Sequence, residues 1–253
     1  MRPKGIYFTM ETPNNTNPSF YPHVSVDCVL LSIVNDQLCV LLVERKDENK
    51  QSIGYKLPGN LIYTDEDLDA AAERVLHETT SLKNVALTQF RSFGSLARTQ
   101  NADDVKWLEN ASRLKIGRII TVAYMALCKM KGVRNTLKNA TISWCPIQEI
   151  PHLPFDHSDI IAAAVDAIQL LIEREPLILF SYMPTKFTAF QLRRTYEILY
   201  NKPLDVRNFH KKMLGMKYVI LTDEMEEDVA HRAARYYKFD KVQYNRQHSR
   251  FNN

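Results

Sequence analysis

The sequence predicts an α/β protein, a mixed sheet with helices packed on it, followed by a smaller module of helices and a hairpin. Three observations lead there. Two β-branched, leucine-rich runs, "HVSVDCVLLSIV" and "QLCVLLVERK", flank the turn dipeptide Asn35-Asp36 and read as a buried hairpin. The stretch from Asp65 to Leu82 sets Leu68, Ala72, Val75, Leu76 and Thr79 along one helical face. Beyond Phe180 the chain turns basic, with 14 Lys and Arg against 8 Asp and Glu, a net of +6 that leaves −2 for the rest.

In order along the chain, residues 1–19 are rich in Asn, Thr and Pro and read as a flexible arm. The arm has no apolar stretch of the signal-peptide kind. Residues 20–175 carry the hairpin, the helix near Asp67, two strand-like runs ("ALTQFRSFGSL" and "GRIITVAYMALCKM") and a polar insertion between them, "RTQNADDVKWLENASRLKI", suited to a lid or a short helix. A strand "SWCPIQEIP" and a closing helix from Ser158, its expected N-cap, complete this part.

Residues 176–253 form the second module. Thr188 and Gln191 make a capping-box pattern that opens the helix "AFQLRRTYEILY". After the turn "NKP", Asp205 caps "VRNFHKKMLGM", where Val206, Phe209, Met213 and Leu214 are expected to point inward and Gly215 to end the helix. Arg207, Asn208, Lys211 and Lys212 share its other side. Two helices joined by a short turn, then the strand-like runs "KYVILTD" and "HRAARYYKF", match a winged helix-turn-helix. His231, Arg232 and Arg235 lie on the expected wing, within reach of phosphates or a minor groove.

The chain has 253 residues, 45% of them hydrophobic, enough for one large or two modest cores. No run is long enough to span a bilayer. The four cysteines form no CxxC pair. They predict reduced thiols and a cytoplasmic address.

The loop Leu57-Pro58-Gly59, an acid, and a helix carrying Arg and Glu resemble the Nudix box, G-x5-E-x7-R-E-U-x-E-E-x-G-U with U a bulky aliphatic. The pattern falls on Asn60, Glu66, Arg74, Val75, Leu76, Glu78, Thr79, Ser81 and Leu82. Glu66, Arg74, Glu78 and the aliphatics match. Both glycines and two of the three helical acids do not. Magnesium takes hard oxygen ligands, and a face of Val75, Glu78 and Thr79 offers one carboxylate. No catalytic residue, metal or cofactor is therefore expected. A frame of Glu73, His77 and Glu78 reads as a solvated face.

The second module resembles the C-terminal domain of the Nudix-related transcriptional regulators, the NrtR family, in which "FTLxxLQxxYExxxGxPLDxRNFRRK" is typical. It matches at Phe187-Thr188, Leu192-Arg193, Tyr196-Glu197, Pro203-Leu204-Asp205, Arg207-Asn208-Phe209 and Lys211-Lys212. "NPSFY" and "LPFDH" also resemble that family, and sugar-utilisation regulators of the arabinose type resemble the chain most. The resemblance implies a Nudix-like α/β/α sandwich that senses a small molecule and a winged helix that binds palindromic operator DNA as a homodimer. Thr188, Arg207, Asn208, Lys211, Lys212, His231, Arg232 and Arg235 are its candidate DNA contacts.

Two effector classes stay open. A diphosphate such as ADP-ribose would draw on Arg45, Lys56 and Arg118. A neutral sugar would draw on Asp27, Tyr55 and Asn60. Glu78 is either a surface acid or an effector acceptor, and His157 either a helix-entry residue or a ligand contact. Trp107 reads as packing of the insertion and Arg74 as an ion-pair partner. The alternative to a regulator is a magnesium-dependent hydrolase of a nucleoside diphosphate derivative.

Overall fold

The computed structural model describes residues 19–83, 85–129, 141–227 and 233–248. The expected arm, apart from residue 19, lies outside them.

The hairpin forms as its turn chemistry requires. Strand β1 (Phe20–Val34) pairs antiparallel with β2 (Gln37–Lys46), and Asn35 and Asp36 take the left-handed conformations, φ 48° and 62°, of a tight hairpin turn. Strands β3 (Ser52–Lys56) and β4 (Gly59–Tyr63) pair with β2 and β1. After helix α1 (Leu68–Thr80) come β5 (Thr88–Phe93), α2 (Ala102–Ser112), β6 (Ile120–Leu127), β7 (Ile142–Pro146) and α3 (His157–Arg174). The sheet runs β3-β2-β1-β6-β5, with β4 added to β1 and β7 to β2; β1 and β6 are parallel, so the sheet is mixed.

Alternation along β1 creates the layers. Val29 and Leu31 pack with Ile160, Ile161, Ala164 and Ile168 of α3. Val26 and Cys28 pack with Ala71, Ala72 and Val75 of α1 on the opposite face. The polar insertion is largely helix α2, capped by Asn101.

Helix α3 departs from expectation at its start. It begins at His157, with Asp156 in the N-cap position making no side-chain cap bond, and Ser158 is exposed inside the first turn. The Asp156 carboxylate is engaged instead by Arg98.

A short helix α4 (Leu177–Tyr182), not foreseen in the sequence, joins the two parts. Its Phe180 ring stacks on Phe239 with centroids 4.7 Å apart, and the Tyr182 hydroxyl accepts the Ile33 N–H at 3.0 Å. Then come β8 (Lys186–Thr188), α5 (Ala189–Tyr200), α6 (Val206–Leu214), β9 (Val219–Met225), β10 (Arg235–Phe239) and α7 (Lys241–His248). The three strands form an antiparallel sheet in the order β8-β10-β9, the wing of a winged helix. One apolar cluster runs from Val29 and Leu31 through α3 to Leu192, Phe209 and Tyr237, so the two parts share a core.

Cys28, Cys39 and Cys128 are buried and all four thiols are free. Among the described residues no helix is long and apolar enough to cross a membrane.

Candidate functional site

A cavity of ≈ 250 Å³ opens on the α3 side of the sheet, between β1, β4, α2 and the entry to α3. The strand alternation that turns Val26 and Cys28 towards α1 turns Ser25 and Asp27 towards this cavity. Lys56, Asn60, Arg98, Trp107, Phe155 and His157 also line it.

Asp27 is 4% exposed and anchors the cavity floor. Its Oδ2 accepts from Arg98 Nη2 at 3.0 Å, and His157 Nε2 stands 3.6 Å from its Oδ1. Burial alone would raise the Asp27 carboxyl. His157, Arg98, a Thr121 hydrogen bond and Lys56 outweigh it, and the pKa falls below its ordinary value. Gly59 makes room for this carboxylate: a Cβ there would lie 2.1 Å from Asp27 Oδ1.

His157 is neutral for two reasons. Burial, chiefly, pushes its pKa down to about 4. Its Nδ1 accepts the Leu57 N–H at 3.2 Å, so the ring's proton sits on Nε2, facing Asp27. Arg98 also pairs with Asp156, whose pKa is raised by burial. Lys56 donates to Gly59 O at 2.7 Å and Leu57 O at 3.2 Å, and burial lowers its pKa.

Helix α2 closes the cavity through a second ion pair. Arg45 Nη1 lies 2.9 Å from Asp104 Oδ1, and its guanidinium carbon lies 4.5 Å from the Trp107 ring centroid. The other Asp104 oxygen accepts the Phe155 N–H at 3.2 Å, and Phe155 takes a left-handed φ of 53°. That conformation is costly for an aromatic residue.

Of the effector candidates, Asp27, Lys56, Asn60 and His157 line the cavity. Arg45 is committed to Asp104 and sits under Trp107, outside the lining. Tyr55 packs against the main core. Arg118 is exposed and donates to Gly94 O at 2.8 Å. Glu78 is exposed on α1, across the sheet from the cavity, and pairs with Arg74 at 3.3 Å. Arg45, Tyr55, Arg118 and Glu78 therefore do not line the cavity. Arg98, Trp107 and Phe155 join it without having been singled out in the sequence for that role. Trp107 reads as packing, and nothing local marks an arginine that will be buried by partners far along the chain.

The residues at the Nudix-box positions do not fit a magnesium site. Val75 and Thr79 are buried, Val75 beside Val26, Cys28 and Tyr124, and the Thr79 hydroxyl donates to Val75 O at 2.7 Å. Glu66 accepts from Arg74 through both carboxylate oxygens and from the Tyr63 N–H at 2.7 Å. Arg74 thus holds loop to helix, as an ion-pair partner should. Among the described residues no cluster of three His, Cys, Asp or Glu could hold a metal ion.

The second surface is α6. Asp205 Oδ1 accepts the Asn208 N–H at 2.9 Å and fixes the helix start. Glu197 accepts the Leu204 N–H at 2.9 Å and pairs with Arg193 and Arg194, which sets the turn between α5 and α6. Phe209 and Met213 face inward, and Arg207, Asn208, Lys211 and Lys212 are all exposed. Val206 and Leu214, expected inward, are 61% and 62% exposed. Thr188 does not reach the surface: it is 2% exposed, its hydroxyl accepting the Gln191 N–H as the α5 cap. Arg235 is exposed on β10, while His231 and Arg232 lie outside the described residues.

Comparison with known proteins agrees with both parts. Residues 21–164 match the NUDIX domain and residues 179–239 the NrtR DNA-binding winged helix domain. The chain is 28% identical over 223 residues to the ADPR responsive transcriptional repressor NtrR of Acinetobacter baylyi, covering 86% of this chain and 82% of that protein. Its fold is similar to Shewanella oneidensis NrtR complexed with a 27mer DNA (TM-score 0.63, 24% identity, 86% of this chain and 93% of that one). It is also similar to a MutT/nudix family protein from Enterococcus faecalis (TM-score 0.61, 22% identity, 91% and 90%). A Nudix fold without its metal face, fused to a capped winged helix with a solvent-facing basic row, places this chain in the NrtR family of transcriptional regulators.

Proposed function

We propose that this chain senses a pentose-bearing small molecule in the Asp27 cavity without hydrolysing it, and couples that binding to operator DNA held by α6. In this reading residues 20–175 are the effector domain and 176–253 the DNA-binding domain of a cytoplasmic homodimer, the two-fold matching palindromic operators.

One observation carries the reading: α3 is a wall of the cavity at one end and a support of the DNA-binding helices at the other. Asp156 and His157 stand at its start. Near its end Gln169 Nε2 donates to Leu199 O at 2.9 Å, and the Tyr200 hydroxyl donates to Gln169 O at 3.1 Å. A ligand that competes for Asp27 or Arg98 therefore pulls on the same helix that orients α5 and α6.

The lining favours a polyhydroxylated ring. Asp27, Asn60 and Lys56 supply acceptors and donors beside the aromatic faces of Trp107 and Phe155, while both nearby guanidiniums are already paired with carboxylates and none is spare for a diphosphate. The volume falls just below the range for drug-sized ligands, about 300–1,000 Å³. The pentose is either a free sugar or the ribose end of a larger molecule. The second form is favoured by the Acinetobacter relative, described as ADPR responsive. Calorimetry with arabinose, ribose, AMP and ADP-ribose separates them: heat from a free pentose supports the sugar, and heat from ADP-ribose alone the nucleotide.

Gel-shift against its own promoter tests the DNA half. Binding should weaken steeply with salt, and Arg207→Ala with Lys211→Ala should lower the slope by about 2, one phosphate contact each. No shift at low salt, or binding indifferent to both changes, overturns it.

A further inference from the structure

We propose that Val206 reads the 5-methyl group of a thymine in the operator, a base contact made from the first residue of α6. This rests on the proposed function, in which α6, the second helix of the helix-turn-helix, holds operator DNA and so lies in its major groove. Periodicity puts Val206 with the core positions of its helix, yet it is 61% exposed while Phe209 and Met213 are buried. It directly follows the Asp205 cap, so its side chain stands at the tip of the helix beside exposed Arg207 and Asn208.

Folding gives no reason for a valine at that tip. A β-branched side chain is a poorer helix former than alanine or lysine, and here its apolar surface is left in water. A helix-turn-helix presents the N-terminal residues of its second helix to base edges. The thymine methyl is the apolar feature of a base pair's major-groove edge, and apolar side chains read it. The charges on Arg207, Lys211 and Lys212, all exposed on α6, supply the attraction that would bring that edge to Val206. The Asp205 carboxylate beside it is held on the Asn208 N–H of its own helix.

Duplexes selected from a random pool by the full-length protein provide the test. Each thymine is replaced in turn by deoxyuridine, which removes the methyl and nothing else. At one thymine in each half-site, wild-type binding should weaken about three- to fivefold, the worth of one buried methyl group. Val206→Ala should bind the thymine duplex about as weakly, lose nothing further with deoxyuridine, and melt no lower than wild type. If no thymine is methyl-sensitive, or Val206→Ala keeps the full sensitivity, the contact is overturned while DNA reading by the winged helix stands. A wild-type protein that selects no sequence overturns both.

Discussion

Arg98 Nη2 stands 3.0 Å from Asp27 Oδ2, an ion pair closed across 71 residues of sequence with both side chains almost wholly buried. The same guanidinium pairs with Asp156, so one arginine ties β1 to the entry of α3. Replacing it by alanine strands two carboxylates in a low-dielectric setting. Arg98→Ala should cost about 3 kcal/mol or more, read as a lowered urea midpoint. Arg98→Ala with Asp27→Asn should recover part of that loss. A double variant whose cost is the simple sum of the singles would refute the coupling.

His157 gives the fold an acid-sensitive window. Above pH 6.5 the ring is neutral in folded and unfolded chains alike. Between 6.5 and about 4 the unfolded chain takes up a proton that the folded chain refuses, so stability falls as the pH is lowered through that range. One group can contribute up to about 3 kcal/mol of this loss. Asp27 titrates below the window because its pKa is depressed, and Asp156, raised by burial, works in the opposite direction. Urea unfolding at pH 7.5 and 4.5 should show the loss, and His157→Gln, which keeps an acceptor for Leu57 N–H, should flatten it. Equal pH dependence in both proteins would count against the buried neutral ring.

Restoring an acid at a Nudix-box position should break the fold rather than revive an enzyme. Val75→Glu would set a carboxylate among Val26, Cys28 and Tyr124, a burial expected to cost about 3 kcal/mol or more. Neither it nor the wild type should release a mononucleotide from ADP-ribose with magnesium. Turnover by the wild type that disappears in Glu78→Gln would establish the hydrolase instead.

The link through α3 predicts a variant that binds but does not signal. Gln169→Ala removes the donor to Leu199 O and leaves the cavity and α6 untouched. Effector and DNA affinities measured separately should stay within about twofold, while the effector's influence on DNA affinity shrinks, since coupling is a free energy distinct from either binding step. Undiminished coupling would show that the signal takes another route.

Much of the architecture is legible along the chain because its determinants are local. The Asn35-Asp36 turn, the start of α1 near Asp67, the capping box of Thr188 and Gln191 and the Asp205 cap each involve residues within four positions of one another. The loss of two helical acids was equally readable. Helix α4 is not legible in this way because its six-residue apolar run has no polar face to mark a period.

Sequence alone thus determined the long helices, the first hairpin, the order of the two parts and the basic row of α6, since short-range hydrogen bonding and periodicity fix those before the chain closes on itself. Only tertiary structure decided what the cavity is made of. Leu57 meets His157 across 100 residues, and Arg45 meets Asp104 across 59. Tertiary packing likewise left Val206 in water and turned Thr188 inward, because exposure at a helix end depends on the neighbouring elements rather than on the helix's own period.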